Sequence, residues 1–495
     1  MAAHGESQNG SGAAAAASHA PELAGVCTHA EFDHPGLGVE ENVALLKRYA
    51  WVEGRLTDIF LTRIAATPEW EVKGALSLHV WLDAEHAKWI RERVAELRHP
   101  PHRFDDVPDA ALEAWLQEAL RSRGTLELLV AVYRVIKPAL LDAYRAHRER
   151  THPLLDHPTR RILRFIVLEE EEMIAWGERA LDALEAAGTE EERARAAAWE
   201  RHLRAYLHAA GGVAGDATTP AATAGSGGGA TVALPPARAA REPEPAVDWT
   251  PRRDARIESD NYDFPPHWVY AQRERPVRER VLAMICKRLL EMDVPEMMAR
   301  IVYETRRAAR ERGAPKPWAY TADMCRQIWD EARHSMMGEG WLAARGIDWT
   351  RVPLNVGFSL GLNTLATPRE AHATLFWIEQ GLMPRTTGKG YEYDASVESG
   401  DSLAALIQDY DWADEVLHVQ IGRHVVEELG SRREAERVGE EIFHRTMEER
   451  RRQSEGPLRE RQREWWTAFC EAAIGVTPAP LDEAATAREA PWKNG

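Results

Sequence analysis

The sequence has few cysteines and no long apolar run. Its four cysteines are far apart and form no Cys-x-x-Cys pair, which excludes a zinc knuckle and a disulfide framework and favours reduced thiols. No stretch of about 18 apolar residues occurs, so we expect no transmembrane helix. Residues 1–38 have neither the basic region nor the apolar region of a signal peptide. These absences together predict a cytoplasmic protein.

The sequence also has fewer positively charged residues than negatively charged ones. The chain has 62 lysine and arginine residues against 79 aspartate and glutamate residues, a formal net charge of −17. Nucleic acids and anionic membranes bind basic surfaces. We therefore expect neither nucleic acid nor membrane as a partner, although a local basic patch remains open.

The pattern of apolar and polar residues in the sequence is mainly that of helices. Between the leader and the tail, and apart from the linker, runs of β-branched residues are few, Asn-Gly hairpin signals are absent, and Ala, Leu, Glu and Arg are frequent, a pattern typical of an all-α protein. Two stretches rich in small residues and proline interrupt the helical pattern. We predict two tandem four-helix bundles at residues 39–208 and 259–476, joined by a flexible linker at 209–258, with a disordered leader at 1–38 and a loose tail at 477–495.

Two segments of the second bundle, QIWDEARHSMMGEGW and DYDWADEVLHVQIG, repeat Asp-Glu-x-x-His. Residues three apart share a helix face, so Glu331 with His334, and Glu415 with His418, can bind a metal ion from one side. Asp411 lies one turn before Glu415 and is a further candidate ligand or hydrogen-bond acceptor. About three acidic-x-x-His matches are expected by chance, but apolar neighbours indicate that these two are buried, where an uncompensated carboxylate is costly.

The neighbouring helices offer the remaining ligands. A di-metal site in a bundle takes one Glu from each of two helices and a Glu-x-x-His from each of the other two. Glu379, in the apolar stretch LFWIEQGLM, meets Glu415 if the chain turns back through a predicted loop at 384–401. For the other helix, either Glu296 or Glu304 supplies the ligand, and the sequence does not decide between them.

The order Glu … Glu-x-x-His … Glu … Glu-x-x-His resembles the ferritin-like di-iron carboxylate superfamily over about residues 290–430. DEARH is similar to the Asp-Glu-x-Arg-His motif of its oxygen-activating branch, such as bacterial monooxygenases and fatty-acyl desaturases. DEVLH has Leu417 in the place of the arginine. The resemblance implies that Asp330 and Asp414 accept hydrogen bonds from metal-bound imidazoles and fix their orientation, with Arg333 beside them.

The resemblance also implies a function. Two iron ions (Fe/Fe or Fe/Mn) would activate O2 to hydroxylate, desaturate or N-oxygenate a small organic substrate. A separate reductase would deliver the electrons, because the sequence contains no flavin or iron–sulfur signature. A homodimer remains open. The alternatives are a ferroxidase or peroxide-scavenging protein that handles metal, and a metal-free helical scaffold.

The first bundle fills the same template only in part. Glu53, Asp83 and His86 match the first two helices, with Asp in the place of a Glu. On the fourth helix Glu170 is followed by Met173 where a histidine would stand. We predict a degenerate metal site there; a weak or mononuclear site is the alternative.

Overall fold

The computed structural model of the chain describes six stretches: residues 21–98, 104, 106–215, 234–238, 247–454 and 459–480. The first part of the predicted leader, about half of the predicted linker and most of the predicted tail lie outside these described residues. All regular elements of the described residues are helical. The all-α prediction is therefore confirmed.

The helices in the first half of the chain range from 4 to 31 residues in length. These helices are α1 (His29–Phe32), α2 (Val39–Leu61), α3 (Trp70–Glu96), α4 (Ala110–Ala119), α5 (Gly124–Leu129), α6 (Lys137–Arg150), α7 (His157–Ala187) and α8 (Glu190–Ala209). A π-helical segment, Val130–Ile136, joins α5 to α6. Pro138 lies just after it, and because proline lacks a backbone N–H it interrupts the regular hydrogen-bond ladder.

The second half carries the two Asp-Glu-x-x-His segments on α12 and α16. Its helices are α9 (Pro266–Val269), α10 (Val277–Leu290), α11 (Asp293–Glu311), α12 (Trp318–Ala343), α13 (Gly357–Leu365), α14 (Pro368–Leu382), α15 (Lys389–Glu398), α16 (Ser402–Ile421), α17 (Arg423–Leu429), α18 (Arg432–Ser454) and α19 (Arg459–Ile474). Local signals start two of them. Thr367 forms a capping box at the start of α14, and the Asp401 carboxylate accepts the first free N–H groups of α16.

Helix α15 lies within the segment predicted as a loop at 384–401, so this prediction was wrong. A Cβ atom at Gly388 would overlap the carbonyl oxygen of Leu382, and one at Gly390 would overlap that of Arg385. Glycine therefore allows the chain to fold tightly against itself before α15 begins. The helix buries Lys389 completely.

The described chain separates into two compact units. The first takes residues up to Val52, then Trp89–Leu116 and Leu129–Pro235; the second takes Glu53–Lys88, Gln117–Leu128 and the residues from Pro236 onward. Helices α2 and α3 thus contribute residues to both units. The predicted boundaries at 39–208 and 259–476 stay a prediction.

The second unit has an extensive apolar core between α10, α12 and α19. Leu282, Ile285 and Leu289 of α10 pack with Trp341 of α12 and Trp466 of α19, all at most 5 % exposed. Burial of such side chains stabilises a fold by roughly 1.5–3 kcal/mol each. This core holds the helices that carry the candidate site. Among the described residues, no helix combines the length and the apolarity needed to cross a membrane.

Candidate metal centre

Carboxylates and imidazoles from three helices of the second unit, and a carboxylate just after the end of a fourth, meet in its interior. Helix α12 packs against α10 and α16, and α16 packs against α14. Spacing of three residues puts Glu331 and His334 on one face of α12, and Glu415 and His418 on one face of α16. Glu379 of α14 completes the first of two groups.

The first group, here called site A, consists of Glu331, Glu379, Glu415 and His418, each at most 3 % exposed. The Nδ1 atom of His418 lies 3.2 Å from Oε1 of Glu331, 3.3 Å from Oε2 of Glu415 and 3.8 Å from Oε1 of Glu379. One donor atom from each residue lies within 4.8 Å of the others. Site A therefore has the dimensions and the donors to hold one metal ion.

The second group, site B, consists of Glu291, His334 and Asp411. The Nδ1 atom of His334 lies 3.4 Å from Oδ1 of Asp411 and 3.7 Å from Oε2 of Glu291. It also lies 3.7 Å from Oε2 of Glu331, whose other oxygen faces His418. The two imidazole centroids are 5.9 Å apart. Glu331 is thus placed to connect the two sites.

Outside these groups, two aspartates pair with the histidines across the helix interface. Nε2 of His334 lies 3.0 Å from Oδ2 of Asp414 on α16, and Nε2 of His418 lies 3.5 Å from Oδ2 of Asp330 on α12. The Arg333 guanidinium donates to Asp330 at 2.7 Å and to Asp414 at 2.6 Å. Each imidazole is thereby oriented with Nδ1 toward the carboxylates.

Glu291 takes the place that the sequence assigned to Glu296 or Glu304. The Glu296 carboxylate forms buried ion pairs with Lys73 and Arg253, and Glu304 pairs with Arg300 at 3.2 Å. The structure brings neither of them to site A or site B. The reason lies in the break between α10 and α11, which places the end of α10 beside α12.

Two buried cations that the sequence did not predict also contact site B. The Lys389 ammonium lies 2.8 Å from Oδ2 of Asp411 and 2.7 Å from Oε1 of Glu415. The Arg288 guanidinium pairs with Asp411 and lies 2.7 Å from Glu291. Arg288 and Lys389 are 0 % exposed. The only sequence signal near Lys389 is the pair of glycines around it, which we interpreted as part of a loop.

A further carboxylate, Glu392, extends this ion network beyond site B. Arg288 Nη2 donates to Glu392 at 2.7 Å, and Lys287 Nζ donates to it at 2.5 Å. Arg288 therefore links Asp411 to Glu392, whereas Lys389 links Asp411 to Glu415. The two cations therefore differ: Arg288 connects site B to Glu392, which lies outside both sites, whereas Lys389 connects site B to site A.

The environment shifts the protonation equilibria of these groups. Burial, together with the negative charge of Glu415, raises the pKa of Glu379 well above its ordinary value. Burial also raises the pKa of Glu291 to about 7, against the opposing effect of Arg288. Burial and Arg288 disfavour the charged form of Lys389, but Asp411 and Glu415 outweigh both and raise the pKa of the ammonium above its usual range.

The donor atoms fit a metal ion. Within the described residues, neither Nδ1 of His334 nor Oε2 of Glu379 has a hydrogen-bond partner, although both are buried. A buried polar atom without a partner is costly, and coordination of a cation removes that cost. Carboxylate and imidazole donors without thiolate suit iron or manganese. The fit is better at site A than at site B, where cations already hold the carboxylates.

The residues that match part of the ligand pattern in the first bundle form a third group of possible metal ligands. Glu53, Asp83 and His86 are fully buried, and Nδ1 of His86 lies 3.3 Å from Oε1 of Glu53. Their donor atoms are close enough together to hold a metal ion. Glu170 belongs to the first unit, where Lys137 donates to it at 3.0 Å.

The fold and these groups define the chain as an all-α protein with buried carboxylate and imidazole clusters that can bind metal ions. No protein-family model, curated protein or solved structure matches it. The functional argument therefore depends on the chemistry of the clusters.

Proposed function

We propose that this chain is an iron-dependent oxidoreductase of the ferritin-like type, which activates O2 to oxidise a small organic substrate. One observation carries the proposal: two Glu-x-x-His pairs on α12 and α16 meet so that the two oxygens of Glu331 face His418 and His334, at 3.2 and 3.7 Å. Ferritin-like di-iron proteins build their sites from such pairs.

The residues have distinct tasks in this proposal. Glu331, Glu379, Glu415 and His418 would hold the first ion at site A. When bound, iron supplies the electrons and the Lewis acidity that O2 activation needs. Asp330 and Asp414 hold the imidazoles with Nδ1 toward the metal.

The proposal includes partners as well. A separate reductase would deliver electrons, because the sequence holds no flavin or iron–sulfur signature. Its net charge of −17 supports a small substrate rather than nucleic acid or an anionic membrane. The protein would act in the cytoplasm, where its cysteines stay reduced.

The test is anaerobic reconstitution with Fe(II), followed by metal analysis and measurement of O2 consumption. We expect the wild-type chain to retain iron and to consume O2, and the double variant Glu331→Ala/Glu415→Ala to lose the iron of the centre. The control is Glu304→Ala/Glu441→Ala, which removes two carboxylates outside sites A and B and leaves iron binding unchanged.

Other results contradict the proposal. Equal iron content in the wild type and the Glu331→Ala/Glu415→Ala variant would place the metal elsewhere. Absence of any transition metal after reconstitution would favour a metal-free scaffold. Sustained Fe(II) oxidation at a rate that no organic compound or reductase changes would favour a ferroxidase.

A further inference from the structure

Sites A and B differ in how their negative charge is compensated. Site A has three carboxylates, and among the described residues Glu415 is the one that contacts a lysine or arginine, through the ammonium of Lys389. Site B has two carboxylates, and two buried cations contact them: Arg288 pairs with both Glu291 and Asp411, and Lys389 pairs with Asp411. The contacting lysine and arginine side chains are thus as many as the carboxylates at site B, but fewer than the carboxylates at site A.

Lys389 is fixed in this position by the fold. It is the first residue of α15, it is fully buried, and the tight turn at Gly388 and Gly390 holds its backbone. Its ammonium contacts both oxygens of Asp411, at 2.9 and 2.8 Å. A metal ion at site B would need the same oxygens. Two cations so close together repel strongly in a protein interior, where the dielectric constant is low.

We propose that Lys389 serves as the resident cation of site B, so that the centre binds one metal ion tightly, at site A, and no second ion at site B. This inference rests on the proposed function, because it assumes that the cluster binds metal. It departs from the two-ion expectation that the resemblance suggested, and it assigns the difference to Lys389, which is not one of the motif residues that carry the resemblance.

Lys389, rather than Arg288, is the informative residue to change. Arg288 also pairs with Glu392, so its removal would disturb charge beyond the two sites. Lys389 contacts Asp411 of site B and Glu415 of site A. Lys389→Met removes the charge and keeps an unbranched apolar chain, whereas Lys389→Arg keeps the charge. Lys287→Met is the matched control, since Lys287 is a largely buried lysine that pairs with Glu392, outside both sites.

The experiment uses the full-length chain and Mn(II) as the probe. Equilibrium dialysis counts the bound ions, and electron paramagnetic resonance distinguishes an isolated Mn(II) from two coupled neighbours. Ions retained by the Glu331→Ala/Glu415→Ala variant are subtracted, because they are bound elsewhere. We expect one ion in the centre of the wild type, of Lys389→Arg and of Lys287→Met, and two coupled ions in Lys389→Met.

Two coupled Mn(II) ions in the wild-type centre would overturn the inference while supporting the proposed metal centre. A single ion in Lys389→Met would also overturn it, because site B would then be incompetent without the lysine. If the wild type and the Glu331→Ala/Glu415→Ala variant bind the same number of ions, the proposed function fails together with the inference. Lys389→Gln is the second variant if Lys389→Met does not fold, and the wild-type count tests the inference without any variant.

Discussion

Asp330 and Asp414 act on the proposed metal ion only through the imidazoles that they contact. Asp330 lies 3.5 Å from Nε2 of His418, and loss of such a partner typically weakens metal binding about 10- to 100-fold. We expect Asp330→Asn to weaken Mn(II) binding at site A by about this factor, measured by equilibrium dialysis. The control is Asp323→Asn on the same helix, because Asp323 also pairs with an arginine and a histidine but lies outside both sites. Equal weakening in both variants would refute the orienting role of Asp330.

A different histidine affects stability rather than metal binding. Nε2 of His147 lies 2.6 Å from the side-chain oxygen of Asn42, and burial lowers the pKa of His147 from 6.5 to about 4. The unfolded chain therefore binds a proton between these pH values that the folded chain does not. Burial of neutral His147 therefore contributes fully to the free energy of unfolding above pH 6.5. As the pH falls toward 4, that free energy decreases by about 3 kcal/mol in total.

Urea unfolding at several pH values between 7 and 4 measures this loss. We expect the wild type to lose up to about 3 kcal/mol more than His147→Gln over this range. The control is His208→Gln, because His208 is exposed and its variant should follow the wild-type pH dependence. Identical pH dependence in His147→Gln and the wild type would contradict the prediction.

At the scale of the element, the position of α15 depends on the close turn that precedes it. In Gly388→Ala the new Cβ atom would meet the backbone oxygen of Leu382, which cannot move as a flexible side chain can. Such overpacking typically costs about 1–3 kcal/mol, and we expect a loss of this size in urea unfolding. The control is Gly340→Ala within α12, where a Cβ meets open space and alanine should stabilise the helix by about 0.5–1 kcal/mol. An unchanged midpoint in Gly388→Ala would contradict the close approach.

The same element shows what sequence could and could not predict. Helical periodicity predicted the bundle that carries Glu331, Glu379 and Glu415, because an amphipathic helix repeats its apolar residues at a fixed interval. The segment around Lys389 gave no such signal, since its burial depends on ion pairs with residues distant in the sequence. Glu291 was missed for a similar reason: it lies in the break after α10, where helical spacing no longer relates it to its neighbours.

At the scale of the whole molecule, the compact units do not follow the low-complexity stretches. Residues 53–88 belong to the same unit as the candidate centre. Within that unit their buried or partly buried polar contacts with the second half of the chain include those of Lys73 with Glu296, Asp58 with Arg306 at 2.6 Å, and Trp70 with Glu339 at 2.8 Å. A low-complexity segment indicates residues that do not contribute to a hydrophobic core. It does not show which of the helices on either side of it pack into the same compact unit.

These contacts predict the behaviour of a fragment that contains only residues 247–495. Its Arg306 would lose a buried carboxylate partner and its Glu296 one of two cations, and breaking one buried ion pair typically costs about 3–5 kcal/mol. We expect the fragment to lose cooperative thermal unfolding by circular dichroism and to lose Mn(II) binding at site A. The control is a full-length chain cleaved at one engineered protease site within residues 221–230, which keeps every one of these residues. If the fragment melts cooperatively and binds Mn(II) as the cleaved chain does, the second bundle is an independent domain, as the sequence boundaries at 259–476 predict.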